Sequence, residues 1–132
     1  MKYVKSNLLR LYNNDTTEET WGNEVIMLIL RNLATMVARR IESEVIFGRE
    51  PVGSNTIVCN GSYISRNHAK ISKGLWGSYL LQDLSSTNGT FINNRQIPSG
   101  EHMVGLTIGD VITLGGYTTH QNVESFVVVN IE

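Results

Sequence analysis

Phe47-Gly48-Arg49, Ser65-Arg66-Asn67-His68 and Asp83-Leu84-Ser85-Ser86-Thr87-Asn88-Gly89-Thr90-Phe91 are the three runs on which the reading of this chain turns. Each mixes small hydroxyl or amide residues with an arginine or a glycine, and each follows an apolar run that reads as a strand. Loops at strand ends are therefore expected at all three. An arginine fork, two hydroxyls and free backbone N–H groups are the inventory that holds a phosphate dianion without burying an unpaired charge. Such a site needs no general base.

The segments around these runs read as short strands. Glu44 to Gly48 leads into Arg49, and Pro51 and Gly53 mark a turn over Glu50 to Ser54. Thr56 to Cys59 is β-branched, and Asn60 to Ser65 is a loop entering a strand over His68 to Ser72. Lys73 to Gly77 turns into a strand over Ser78 to Leu84. Thr90-Phe91-Ile92 pairs with Gln96-Ile97 across Asn93-Asn94, where asparagine tolerates the left-handed backbone of a tight hairpin. Leu106 to Leu114, with a Gly109-Asp110 turn inside, and Ser125 to Ile131 complete the set. Many short strands separated by glycine-marked turns indicate an antiparallel sandwich.

Towards the N-terminus, Tyr3 to Tyr12 reads as a first strand and Asn13 to Asn23 as a polar surface loop. Thr16 and Thr17, beside Glu18 and Glu19, are either phosphate acceptors that would let copies of the protein recognise one another or part of a solvated loop. Between Glu24 and Ile41 two periods compete: Val25, Met27 and Ile29 fit a strand, while Ile26, Ile29, Leu30, Leu33, Val37 and Ile41 fit a helical stripe. The residues predict a short strand near Val25 and then a helix from about Leu28 to Arg39, with Arg39 and Arg40 suited to a helix C-terminus.

Gly48-Arg49, Ser65-x-x-His68 and Asp83-x-x-Ser86-x-Asn88-Gly89-Thr90, in that order and spacing, resemble a forkhead-associated (FHA) domain. The resemblance runs from about Val45 to Gly115, includes Phe91-Ile92-Asn93 and Leu106-x-x-Gly109-Asp110-x-Ile112, and reaches Phe126 and Val128 with the last strand. It implies an all-β fold, an antiparallel β-sandwich of about eleven strands with a short inserted helix near residues 28–39. Residues 1–132 would be a single FHA domain with its motif core at about 45–115. The function implied is non-catalytic: binding phosphothreonine peptides and so recruiting phosphorylated partner proteins.

Carried onto these positions, the resemblance makes Arg49 the phosphate fork, against the alternative of a surface cation paired with Glu50 or Glu44. Ser65 and Thr87 would hydrogen-bond phosphate oxygens, with help from Arg66; a turn-capping hydroxyl is the alternative for Ser65. Asn88 would hold the main chain of an extended peptide. Tyr63 is either a selector of the third residue after the phosphothreonine or a packing tyrosine. Gly48, His68, Asp83 and Gly89 would be structural, the histidine and aspartate bracing the loops. Some FHA domains of fungal checkpoint kinases are similar in carrying a helical insertion before the Gly-Arg strand, and the Val123-Glu124-Ser125 tail adds to that likeness. DNA-damage or cell-cycle signalling would follow, in the nucleus or cytoplasm with the nucleus favoured. No kinase motif is present, so the chain would be at most the regulatory part of a longer kinase.

Composition agrees. At 132 residues, 41% hydrophobic and 17% charged, the chain suits one domain with an ordinary core. A formal charge of −1 lacks the positive excess that non-specific nucleic-acid binding needs, so direct nucleic-acid contact is not expected. The longest apolar run, Val25 to Leu30, is far short of the ~20 residues that span a bilayer, and no membrane partner is expected. Cys59 is the only cysteine and reads as a small buried strand residue. His102 and His120 lack ligand-spaced companions, so neither a metal nor another cofactor is expected. Trp21 and Trp76 read as core or loop-packing aromatics, and Lys70, Lys73 and Arg95 as solvated charges.

Two other functions fit parts of the pattern. One is a phosphate-independent interaction sandwich that uses another face. The other is a small serine hydrolase in which Ser65, His68 and Asp83 act as a triad, although no Gly-x-Ser-x-Gly elbow surrounds Ser65.

Overall fold

A computed structural model describes residues 27–131, which form eleven strands in two sheets and one short 3-10 turn at Leu75–Gly77. The expected strand over Tyr3 to Tyr12, the loop with Thr16 and Thr17, Trp21 and the strand near Val25 lie outside the described residues. In chain order the strands are β1 (Leu28–Asn32), β2 (Ala38–Ile41), β3 (Glu44–Gly48), β4 (Thr56–Val58), β5 (Ala69–Lys73) and β6 (Tyr79–Asp83). They continue as β7 (Thr90–Ile92), β8 (Arg95–Gln96), β9 (Met103–Gly105), β10 (Val111–Leu114) and β11 (Glu124–Ile131). One sheet has the order β2-β1-β11-β10-β7-β8 and the other β4-β3-β5-β6-β9.

The all-β sandwich is as expected, but one of its strand pairs is not antiparallel: β3 and β4 run parallel, Ile46 facing Thr56 and Gly48 facing Val58. The long Glu50 to Asn55 connection returns the chain to the same end of the sheet, which a two-residue hairpin cannot do. Alternation decides the core. Val45 and Phe47 on β3, Ala69 and Ile71 on β5 and Tyr79 and Leu81 on β6 point inward from one sheet. Leu28 and Leu30 on β1, Ile112 on β10 and Phe126 and Val128 on β11 meet them from the other. Phe47 and Phe126 join the two layers edge to face, with ring centroids 5.2 Å apart.

The helix expected near residues 28–39 is absent; the segment is the β1–β2 hairpin. Leu28 and Leu30 are buried while Ile29 and Arg31 are half-exposed, a period of two. The helical stripe is split, since Leu30 and Ile41 are buried but Leu33 and Val37 are exposed. Five register pairs with β11 supply the backbone partners that a lone twelve-residue helix would have to find within itself. Asn32 then builds the turn: its Oδ1 accepts the N–H groups of Ala34 and Thr35 at 2.8 and 3.1 Å. Met36 closes the turn with a left-handed φ of 64°. Without the helix, the likeness to the checkpoint-kinase type loses its main residue-level support.

Trp76 is also placed differently from the expectation. It is 97% exposed at the β5–β6 turn, with a φ of 63°, and packs in neither core nor loop. At Asn93-Asn94 the expected hairpin forms, and both asparagines take positive φ. Asn94 Oδ1 also accepts the Thr118 N–H at 2.9 Å, an anchoring bond that glycine at this position could not make.

Candidate functional site

The three motif loops meet at one end of the sandwich, because β3 ends where β5 begins and β5 begins where β6 ends. Backbone bonds lace them together. Arg49 N–H donates to the Ser65 carbonyl at 3.0 Å, Glu50 N–H to the Arg66 carbonyl at 3.2 Å, and Leu84 N–H to the His68 carbonyl at 2.9 Å. Gly48 is required for this close approach of the first two loops: a Cβ there would lie 1.8 Å from the Arg66 carbonyl oxygen. Asn67 adds a pin from outside the predicted set, its Oδ1 accepting the Val52 N–H at 3.0 Å.

His68 is fully buried beneath the loops. Its Nδ1 accepts the Ser65 N–H at 2.9 Å, which leaves the proton on Nε2 to be donated to the Gly89 carbonyl at 2.8 Å. The ring thus ties the second motif to the third. Burial pushes its pKa below the ordinary value of 6.5, although the Gly89 carbonyl and the charge of Asp83 pull the other way.

Asp83 is 1% exposed and accepts four hydrogen bonds. They come from the Ser86 N–H at 3.1 Å and the hydroxyls of Ser86, Thr90 and Ser99 at 2.5, 2.6 and 2.6 Å. Burial alone would raise its pKa; these donors outweigh it and hold the carboxyl below 3.8. Ser86 Oγ in turn accepts the Gly89 N–H at 2.9 Å. Gly89 needs to be glycine, with φ of +91° and the Gln96 side-chain amide 2.6 Å from where a Cβ would sit. Ser86 was readable from the Asp-x-x-Ser spacing of an Asx-type turn. Ser99, sixteen residues from Asp83, carried no local signal.

On this brace the predicted site residues are brought together at the surface. Ser65 Oγ accepts the Thr87 N–H at 3.1 Å and keeps its own proton to donate. Arg49 is exposed, and its Nε donates to the Ile64 carbonyl, so its guanidinium is aimed along the loop that carries Ser65. Its terminal amino groups make no hydrogen bond among the described residues. Asn88 Nδ2 donates to the Tyr63 carbonyl at 3.0 Å, joining the third loop to the Tyr63 loop. That loop is seated in turn on residues 115–122. Tyr63 N–H reaches the Asn122 carbonyl at 3.3 Å, and Gly61 lies against the same carbonyl. Arg66 is set apart from the group: its Nε lies 3.8 Å from Glu50 Oε1, so this arginine and not Arg49 carries the surface pair.

The triad geometry does not form. The imidazole faces the main chain of Ser65 and not its hydroxyl, and Asp83 is committed to serine and threonine hydroxyls. Cys59 is fully buried, as expected, and its thiol is pushed up to about 12 by burial and by Glu124, so it is no nucleophile. Among the described residues no three His, Cys, Asp or Glu side chains are grouped to hold a metal.

Hydroxyls, an arginine and an amide converging from separate loops on a rigid sandwich define a binding module whose reactive-looking histidine and aspartate serve as bracing. The comparisons give that class its family. Residues 45–115 match the FHA domain model, and the chain belongs to the FHA family of non-catalytic, phosphothreonine-binding modules. An FHA domain-containing protein of Arabidopsis thaliana is 40% identical over 68 residues, which are 52% of this chain but 17% of that protein's length. The FHA domain of the CT664 protein from Chlamydia trachomatis superposes with a TM-score of 0.63 at 32% identity, covering 79% of this chain and 97% of that one. The N-terminal FHA domain of Saccharomyces cerevisiae Rad53p, solved with a phosphothreonine peptide, gives 0.64 at 25% identity over 80% and 93%.

Proposed function

We propose that the loop cluster binds a phosphothreonine in an extended peptide of a partner protein. Arg49, Ser65 and Thr87 hold the phosphate, Asn88 holds the peptide main chain, and Tyr63 borders the residues that follow. Arg66 contributes positive potential from the flank. The observation that carries this reading is the Ser65–Thr87 contact. By accepting the Thr87 N–H, Ser65 Oγ keeps its own proton to donate, beside an arginine whose terminal donors are free among the described residues. A tetrahedral group with three acceptor oxygens and about −1.5 to −2 charge satisfies that donor set, whereas a planar carboxylate leaves donors unpaired.

Titration with three peptides that differ only in phosphothreonine, phosphoserine or glutamate tests the reading. Phosphothreonine should bind, and glutamate should not. Phosphoserine should be weaker by roughly 10–200-fold if the γ-methyl sits in a fitted pocket. Arg49→Ala should reduce affinity by at least about tenfold while leaving the melting temperature within about 2 °C, since each charge-assisted bond is worth ~1.5–3 kcal/mol. Retained affinity in that variant would remove Arg49 from the site.

The reading extends to DNA-damage or cell-cycle signalling in the nucleus, supported by the family resemblance alone, and to a place within a longer kinase, for which the Val123-Glu124-Ser125 tail is the support left once the inserted helix is absent. Immunoprecipitation of the full-length protein before and after DNA damage tests it. Recognition of phosphorylated Thr16 or Thr17 in a second copy is a further extension. It predicts a phosphatase-sensitive dimer that the Thr16→Ala, Thr17→Ala double variant loses.

A further inference from the structure

Glu50 immediately follows the arginine assigned to the phosphate, yet it carries the opposite charge. The backbone places it with care. Arg49 N–H to Ser65 carbonyl and Glu50 N–H to Arg66 carbonyl are successive rungs, so residues 49–50 and 65–66 form a short ladder on the lip of the site. Asn67 pins the far side of the Glu50 turn through the Val52 N–H. Glu50 therefore does not wander on a long mobile loop. Its carboxylate lies 3.8 Å from Arg66 Nε, and both side chains are more than 70% exposed, so the pair stays hydrated and adds little to stability. An acidic group in that position repels an anionic ligand and draws off part of the positive potential of Arg66. A lip built only to capture phosphate would carry no such group.

Resting on the function proposed above, we infer that Glu50 is a specificity-determining residue, which disfavours acidic side chains next to the phosphothreonine and favours basic ones. The chemistry is that of unequal screening. The phosphate is held by directed hydrogen bonds from Arg49, Ser65 and Thr87, so it tolerates a nearby carboxylate. A flanking ligand side chain on the Glu50 side of the lip meets that carboxylate through solvent and gains or loses by charge alone. Arg66, left unpaired, would favour acidic flanks; paired with Glu50, it presents a weakened positive charge. The ligand class is accordingly a phosphothreonine peptide with lysine or arginine close to the phosphorylated residue.

The test is a set of phosphothreonine peptides bearing either aspartate or lysine, in turn, at each of the three positions on either side. Affinities are measured with the wild-type protein, Glu50→Gln and Glu44→Gln. Glu44 is an exposed acid at the start of β3, the end of the strand away from Arg49, and serves as the control for net charge. For at least one position the wild type should prefer lysine to aspartate, and Glu50→Gln should reduce that ratio by about twofold to fivefold, the size expected of two charges interacting through solvent at the surface. Glu44→Gln should leave the ratio unchanged, and the Glu50 effect should fade in 0.5 M salt. An unchanged ratio in Glu50→Gln, or an equal change in Glu44→Gln, overturns the inference while leaving the phosphate site standing. If the wild type binds none of the phosphothreonine peptides, both readings fall.

Discussion

His68 is buried as the neutral ring and Asp83 as the anion, and acid opposes both for different reasons. Protonating His68 requires Nδ1, the atom that accepts the Ser65 N–H, so the added proton breaks that bond within the second motif while the Nε2 bond to Gly89 remains. Its folded pKa lies below 6.5, so its contribution to stability is complete above that value and is lost as the pH falls beneath it. Asp83, also depressed, contributes fully above 3.8 and is lost as the pH falls below that. Guanidinium unfolding midpoints should therefore be level between about pH 7 and pH 8, decline from about pH 6.5 and decline further below pH 4. His68→Ala should lower stability at pH 7.5 by about 2–3 kcal/mol, because it orphans the Ser65 N–H and the Gly89 carbonyl, and should abolish the first decline. A decline that survives in the variant would place its cause elsewhere.

The β1–β2 hairpin is where local preference and tertiary demand part company, and its turn offers a clean discrimination. Met36 holds a left-handed φ of 64°, a conformation that disfavours a residue with a Cβ by about 1–2 kcal/mol relative to glycine. Met36→Gly should therefore raise the unfolding free energy by about 0.5–1 kcal/mol, with the exposed methionine side chain losing little. In a helix the same change would lower it by about 1 kcal/mol. Thermal melts of the two proteins decide between the elements by the sign of the shift. At the other boundary of the sheet, Arg39 reaches from β2 to the Thr56 carbonyl on β4 at 2.8 Å, a stitch between the two layers that a helix C-terminus would not have made.

The sandwich has one end that gathers the motif loops and an end opposite to it. The β4–β5 and β6–β7 loops carry Ser65, Thr87 and Asn88, so the β5–β6 turn between them lies at the opposite end, with Leu75 and Trp76 exposed on it. Replacing Trp76 by glycine should leave phosphopeptide affinity unchanged and raise the melting temperature by a few degrees through relief of the left-handed backbone. Phe126→Ala acts in the reverse sense. It removes the ring that meets Phe47 across the layers, should cost about 3–5 kcal/mol, and should weaken binding wherever the sandwich no longer stays folded. Calorimetric melts and peptide titrations of the two variants separate far-end from through-core effects.

The motif loops were legible residue by residue because their requirements are local. Gly48 and Gly89 mark a close approach and a positive φ, Asp83-x-x-Ser86 closes its own turn, and Asn93-Asn94 turns a hairpin; each restricts a few neighbouring dihedrals whatever the rest of the chain does. Such signals also placed Ser65, Thr87 and Asn88 in loops that do meet. Residues 28–41 were not legible in that way. Leu30 and Ile41 serve a helical stripe and a hairpin equally well, and the choice fell to β11, about a hundred residues away, whose unpaired backbone needed a partner. The parallel pairing of β3 with β4, the hydroxyl that Ser99 lends to Asp83 and the pairing of Arg66 with Glu50 were likewise settled by contacts between distant segments, which leave no period or spacing along the chain.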